Sequence, residues 1–149
     1  MTIAQLKPKT DSLTTDPKRL IERTAEVVSA ADRVLALAKS GVRQRIQDAG
    51  GIDAAQHAAH GLAWFATTVE SLRQMNVWAS NLQSEGKFGE IEQLILLAAF
   101  GEYAAQIAGG IPMSQVEIIR PEALGIPRAD IRKYEDAVAD VVAEGTSEY

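Results

Sequence analysis

Apolar residues recur along the chain at steps of three and four, the spacing that lines one face of an α-helix. The first run is Leu20, Val27, Val28, Ala31, Val34, Leu35, Ala38, Val42 and Ile46. Asp16-Pro17 precedes it, an N-cap acceptor followed by a residue whose fixed φ suits the first helical position. Gly50-Gly51 ends it, and Gly41 inside it marks a bend or a close helix contact. A second helix is expected from Asp53, with Gln56 completing a capping-box-like pair, to Glu85-Gly86. Its stripe is Leu62, Phe65, Val69 and Leu72, and Trp64, Val77, Trp78 and Leu82 add bulk. The third helix, from about Gly89 to Ala108, is apolar on most sides through Ile91, Leu94, Ile95, Leu96, Leu97 and Phe100. Such a helix is central in its bundle or covered by a partner. A fourth starts near Arg128, sets Ile131, Tyr134, Val138 and Val141 on one face and stops at Gly145.

Residues 111–127 break the helical pattern with Pro112, Pro121, Gly125 and Pro127. Val116-Glu-Ile-Ile119 alternates like a short strand, but one strand makes no sheet. The first two helices, each about 30 residues, would be about 45 Å long, and short links make neighbours antiparallel. The expected fold is therefore all-α, an antiparallel bundle of about four helices with an irregular Pro/Gly segment before the last one. It is expected to divide into a flexible leader (1–15), a single bundle domain (16–145) and a tail (146–149).

Composition narrows the function classes. Hydrophobic residues at 46% and charged residues at 23% exclude a wholly disordered chain. With no cysteine, disulfides, thiolate catalysis and Cys-based metal sites are excluded. A net charge of −5 argues against recruiting nucleic acid or an anionic membrane. That charge is uneven: nine basic and six acidic residues through residue 52 give +3, leaving −8 for the remainder. The bland account is solvated helix faces; the sharper one is a basic first helix that meets an acidic partner or a phosphorylated ligand such as a coenzyme A. The start of the chain lacks the apolar run of a signal peptide. The most apolar window, 91–110, is interrupted by Gln93, Glu102 and Gln106, so no membrane segment is expected and the expected location is cytoplasmic.

Candidate chemistry is sparse. His57 and His60 share a helix face, but no Glu-x-x-His or His-Glu-x-x-His pattern supplies further metal ligands, so no metal site is expected. A general-base role for either histidine would need Glu70 or Glu102 beside it. In a bundle that binds a phosphorylated ligand, Arg43, Arg45, Arg73 or Arg120 would pair with the phosphates. Gln106-Ile-Ala-Gly109-Gly110-Ile-Pro112 is neither a P-loop nor a dinucleotide fingerprint. It reads as a helix C-cap, or as bare backbone that a ligand or a neighbouring chain can approach closely.

Several blocks between Gln56 and Gly125 carry a resemblance. They are Gln56-His-Ala-Ala-His-Gly-Leu-Ala-Trp64-Phe, Gly86-Lys-Phe-Gly-Glu90-Ile-Glu-Gln93 and Phe100-Gly-Glu-Tyr-Ala-Ala-Gln-Ile-Ala-Gly-Gly-Ile-Pro-Met-Ser114. Over about half the chain this resembles the helical N-terminal extension domain of methylsuccinyl-CoA dehydrogenases, within the acyl-CoA dehydrogenase family. Gln106-x-x-Gly109-Gly110 is also similar to a Gln-x-x-Gly-Gly-x-Gly stretch of that family, which helps hold the FAD pyrophosphate of an adjoining subunit. The resemblance thus implies Gln106, Gly109 and Gly110 as cofactor-binding positions, with Pro112 standing where the family has its third glycine. It implies no cofactor for this chain on its own and FAD in a partner assembly. A family member also needs a β-barrel middle domain and a catalytic glutamate, so this chain is not expected to dehydrogenate a thioester by itself.

The leading expectation is a non-catalytic accessory domain that docks on or stabilises a flavin-dependent acyl-CoA dehydrogenase. Its contact surface would be the third helix with Trp64, Phe100, Ile111, Pro112 and Met113. The alternatives are a bundle that binds an acyl-CoA or flavin nucleotide and a self-associating structural protein. The expected partners are an acyl-CoA dehydrogenase-type protein or a second copy, in an oligomer, with no nucleic acid and no membrane.

Overall fold

The computed structural model describes residues 12–147, and the all-α expectation is met. Four helices dominate: α1 (Pro17–Asp48), α2 (Gln56–Ser84), α3 (Glu90–Gly109) and α4 (Arg128–Gly145). Their bounds follow from local chemistry. The Asp16 carboxylate accepts the N–H groups of Lys18 and Arg19 at 3.0 and 3.3 Å, filling two donors that the first turn of α1 leaves unpaired. Gly50 and Gly51 end α1 with φ of 81° and 152°. The Glu92 carboxylate accepts the Gly89 N–H at 3.0 Å and sets the start of α3. The capping pair expected at Asp53 and Gln56 does not form. Ile52–Ala55 winds as a tighter 3₁₀ turn, and α2 begins at Gln56 with no side-chain cap.

α1 packs chiefly on α2 and α3 chiefly on α4, and α1 also meets both α3 and α4. The pairs run antiparallel. Asn76 of α2 donates to the Ile21 carbonyl and the Thr24 hydroxyl of α1, both at 2.9 Å, while Arg73 reaches Asp32 further along. On α4, Tyr134 donates to the Ala104 carbonyl of α3 at 3.3 Å. Leu20, Val27 and Val42 of α1, Phe65 and Leu72 of α2, Leu96, Leu97 and Phe100 of α3, and Ile131 and Val141 of α4 fill one shared core.

Residues 1–11 of the expected leader and 148–149 of the expected tail lie outside the described residues. The end of the leader departs from expectation. Leu13–Thr15 form a 3₁₀ turn, and Leu13 is buried in the core. Glu144 accepts the Leu13 N–H at 2.9 Å and the Ser12 hydroxyl at 3.0 Å, tying this turn to the end of α4. An apolar side chain with a place in the core orders the backbone that carries it.

The segment between α3 and α4 also departs from expectation. Ile118–Ile119 (β2) does not stand alone: it pairs antiparallel with Ile111–Pro112 (β1), Ile111 opposite Ile119 and Pro112 opposite Ile118. Pro121–Leu124 then makes a 3₁₀ turn that seats on Gly41 of α1. A Cβ at Gly41 would stand 2.3 Å from the Leu124 carbonyl oxygen, so the close contact anticipated at this glycine is real, though its partner is a turn rather than a helix. No helix among the described residues is long and apolar enough to cross a membrane.

Candidate functional site

The β1–β2 hairpin projects from the end of α3. The Met113 N–H donates to the Glu117 carbonyl at 2.8 Å, and the Ser114 hydroxyl accepts the N–H groups of Val116 and Glu117 at 3.4 and 3.2 Å. These bonds tighten the turn and push Val116 outward, where it is 92% exposed. Strand alternation then divides the flanks: Ile111 and Ile119 enter the core, while Pro112 and Ile118 face solvent. Four apolar residues with exposed surface (Pro112, Met113, Val116 and Ile118) therefore sit on one small, hydrogen-bonded element.

Trp64 is partly exposed on α2. Its indole N–H donates to Nε2 of His60 at 2.7 Å, and the two rings stack with centroids 6.4 Å apart. The bond requires the imidazole tautomer that leaves Nε2 unprotonated.

Two of the expected contact residues need correction. Phe100 is 0% exposed and Ile111 3% exposed, so neither offers a surface to a partner. Phe100 points inward with Leu96, Leu97, Ala104 and Ile107, a face of α3 that sequence alone cannot tell from its equally apolar outer face. Trp64, Pro112 and Met113 do reach the surface.

The glycine cradle does not fit a flavin pyrophosphate. The Gly110 N–H is spent on the Gln106 carbonyl at 2.8 Å, closing the end of α3. The space beside Gly110 belongs to the hairpin, since a Cβ there would meet Ile118 Cγ2 at 2.6 Å. Pro112 carries no N–H to give a phosphate. Gly109 faces open space. Gln106, Gly109 and Gly110 thus form a helix terminus and the seat of a hairpin.

The remaining candidates are scattered. Arg73 is held between Asp32 and Glu70, and Glu70 also accepts from Gln74 at 2.7 Å. Arg45 donates to the Glu122 carbonyl at 2.7 Å. Glu102 is exposed on α3, and the two histidines stand on α2. Among the described residues no three His, Asp or Glu side chains gather as metal ligands. The clearest electrostatic anchor is structural: Arg23 grips Asp140 through its Nε at 2.8 Å and one Nη at 2.7 Å, and also reaches the Ala137 carbonyl. The hydrogen bonds from Arg23 hold the Asp140 carboxyl below its usual range. Burial pushes the Tyr134 phenol up.

Two surface features were not singled out from sequence. One is the exposed Val116 and Ile118 of the hairpin, for which the alternation at 116–119 was the available signal. The other is a groove between α1 and α2, made of two adjoining depressions of about 660 and 470 Å³ that share Lys39. Nothing in a single sequence marks it, because two helices contribute its walls.

Fold and surface together define a helical-bundle module whose distinctive surface features, among the described residues, are exposed apolar side chains rather than a gathered set of reactive groups. Across an alignment of 112 positions that covers 72% of its length, the chain is 46% identical to (2S)-methylsuccinyl-CoA dehydrogenase of Cereibacter sphaeroides. The match spans 20% of that protein, so the chain corresponds to about a fifth of the relative's length. No protein-family model matches the chain. The resemblance to methylsuccinyl-CoA dehydrogenases is therefore shown over most of the chain, on a part of such an enzyme.

Proposed function

We propose that the chain is a helical accessory module that docks on, and stabilises, a flavin-dependent acyl-CoA dehydrogenase, without carrying the oxidation itself. The observation that carries this reading is the 46% identity to a methylsuccinyl-CoA dehydrogenase confined to a fifth of that enzyme's length. The flavin belongs to the partner in this reading, in keeping with the poor fit of Gly110 and Pro112 to a pyrophosphate. The hairpin is the docking element: Val116 and Ile118 are apolar, exposed and held on hydrogen-bonded backbone, so little ordering entropy is lost on contact. Trp64 adds a rigid aromatic surface of the kind that anchors interfaces.

The test is affinity isolation of the tagged chain from its native cell, with native mass spectrometry of the eluate. The expected result is a complex that contains an identified acyl-CoA dehydrogenase subunit and absorbs as a flavoprotein. Val116→Asp is expected to release the dehydrogenase while leaving the helical content unchanged. An eluate without a dehydrogenase overturns the reading.

A further inference from the structure

We propose that the outer face of α3 docks head-to-tail into the α1–α2 groove of a second copy of this chain. The proposal goes beyond the dehydrogenase reading and does not rest on it, because that reading docks through the hairpin.

The face comes first. Leu96, Leu97, Phe100, Ala104 and Ile107 turn α3 toward the core. On the opposite side, Ile91 is 69% exposed and Ile95 50% exposed, with Leu94 and Ala98 beside them. These positions follow the helical repeat and form one stripe. A helix apolar on both sides is normally covered on both sides. Here α1, α2 and α4 pack against α3, and the stripe of Ile91 and Ile95 stays exposed.

The charges then select the occupant. Between Lys87 and Arg120 the chain has four acidic residues, Glu90, Glu92, Glu102 and Glu117, and no basic residue. Two α3 stripes packed against each other would set acid beside acid, so a symmetric α3–α3 pair is opposed electrostatically. The complementary surface lies elsewhere on the same molecule. Val42, Ile46 and Leu62 floor one end of the groove, and Lys39 and Arg43 stand at its lip. Both cations are exposed, and neither makes an ion pair or hydrogen bond among the described residues. The acids at the other end, Asp32 and Glu70, are already paired with Arg73. The groove therefore offers an apolar floor with unspent positive charge. The α3 stripe offers an apolar ridge whose own outward charge is Glu102.

The dimensions agree. The stripe from Ile91 to Glu102 is about 17 Å long, and the groove walls along α1 from Asp32 to Gln47 run about 23 Å. Placed with Ile91, Leu94, Ile95 and Ala98 over the floor, α3 brings Glu102 to Lys39 and Arg43. Each copy gives a ridge and receives one in its groove. In the head-to-tail arrangement proposed, with no twofold axis relating the two contacts, the assembly closes into a ring or continues as a chain.

The test is sedimentation velocity of the purified chain, raised in steps to about 1 mM. Concentration-dependent association is expected. Ile95→Glu, Glu102→Lys and the pair Lys39→Glu/Arg43→Glu are each expected to weaken it about fivefold or more. All these positions are exposed, and circular dichroism checks that the variants fold. Combining Glu102→Lys with Lys39→Glu/Arg43→Glu is expected to restore association, which a merely structural effect would not do. A chain that stays monomeric throughout overturns the proposal. So does association that Ile95→Glu abolishes but the groove substitutions leave intact, which would mark a symmetric α3–α3 contact.

Discussion

Gly101 of α3 and Gly145 of α4 lie backbone against backbone. A Cβ on Gly101 would stand 2.6 Å from the Gly145 Cα, and one on Gly145 would stand 2.3 Å from the Leu97 carbonyl oxygen. Gly145 closes its helix without a left-handed φ, so it serves the crossing of two helices rather than a cap. Gly145→Ala is expected to cost about 1–3 kcal/mol, because the obstructing atoms are backbone and cannot swing away. Urea denaturation measures it. A variant as stable as the parent would mean that the helices separate freely at this point.

Gly109 is the control for that argument. Nothing lies within 4 Å of a Cβ built there, and its φ is ordinary. Gly109→Ala is expected to be neutral or to stabilise by about 0.4–1 kcal/mol, through a less flexible unfolded chain. A marked loss of stability in the same denaturation series would show that a close approach at Gly109 does matter.

Acid should loosen the α1–α4 contact. Arg23 holds the Asp140 carboxyl below its usual range, so folding favours the ionised form. The resulting stability is fully present above the ordinary carboxylate pKa and is lost as the pH falls through the lower, folded value. Asp140 is half exposed, so solvent screening keeps the effect small. Asp140→Asn is expected to flatten the fall in urea midpoint between about pH 5 and pH 2. An equally steep fall in the variant would assign the acid sensitivity to other carboxylates.

Phe100 distinguishes core from surface on a helix apolar on both sides. Phe100→Ala is expected to cost about 3–5 kcal/mol, by lost burial and the cavity left behind. Ile95→Ala, on the exposed side, should stay within about 0.5 kcal/mol in the dilute chain. Thermal unfolding at low concentration compares them. Equal losses would mean that the outer stripe is covered even in the monomer.

Much of the fold was legible in the sequence. Asp16-Pro17 and Gly50-Gly51 bracket α1 because an N-cap carboxylate and positive-φ glycines act through local bonds. The inward residues of α1 and α4 were readable because each helix is polar on its other side. The inward face of α3 was not: its apolar residues surround the axis, and only the positions of α2 and α4 decide that Phe100 is buried and Ile95 exposed. The candidate site was less legible still. Gln106, Gly109 and Gly110 look alike as a sequence motif whether they cradle a phosphate or end a helix. The hairpin that occupies the space beside Gly110 is what separates the two.

The sequence by itself determined the four helices, most of their boundaries and the resemblance to methylsuccinyl-CoA dehydrogenases, because caps, periodicity and residue identity are properties of neighbours along the chain. Tertiary structure alone decided that Leu13 belongs to the core, that Ile111 and Ile119 pair as strands, and that Val42, Ile46 and Leu62 share a groove with Lys39 and Arg43. Those relationships join residues far apart in sequence, and their free energy comes from burial and charge that exist only once the helices have packed.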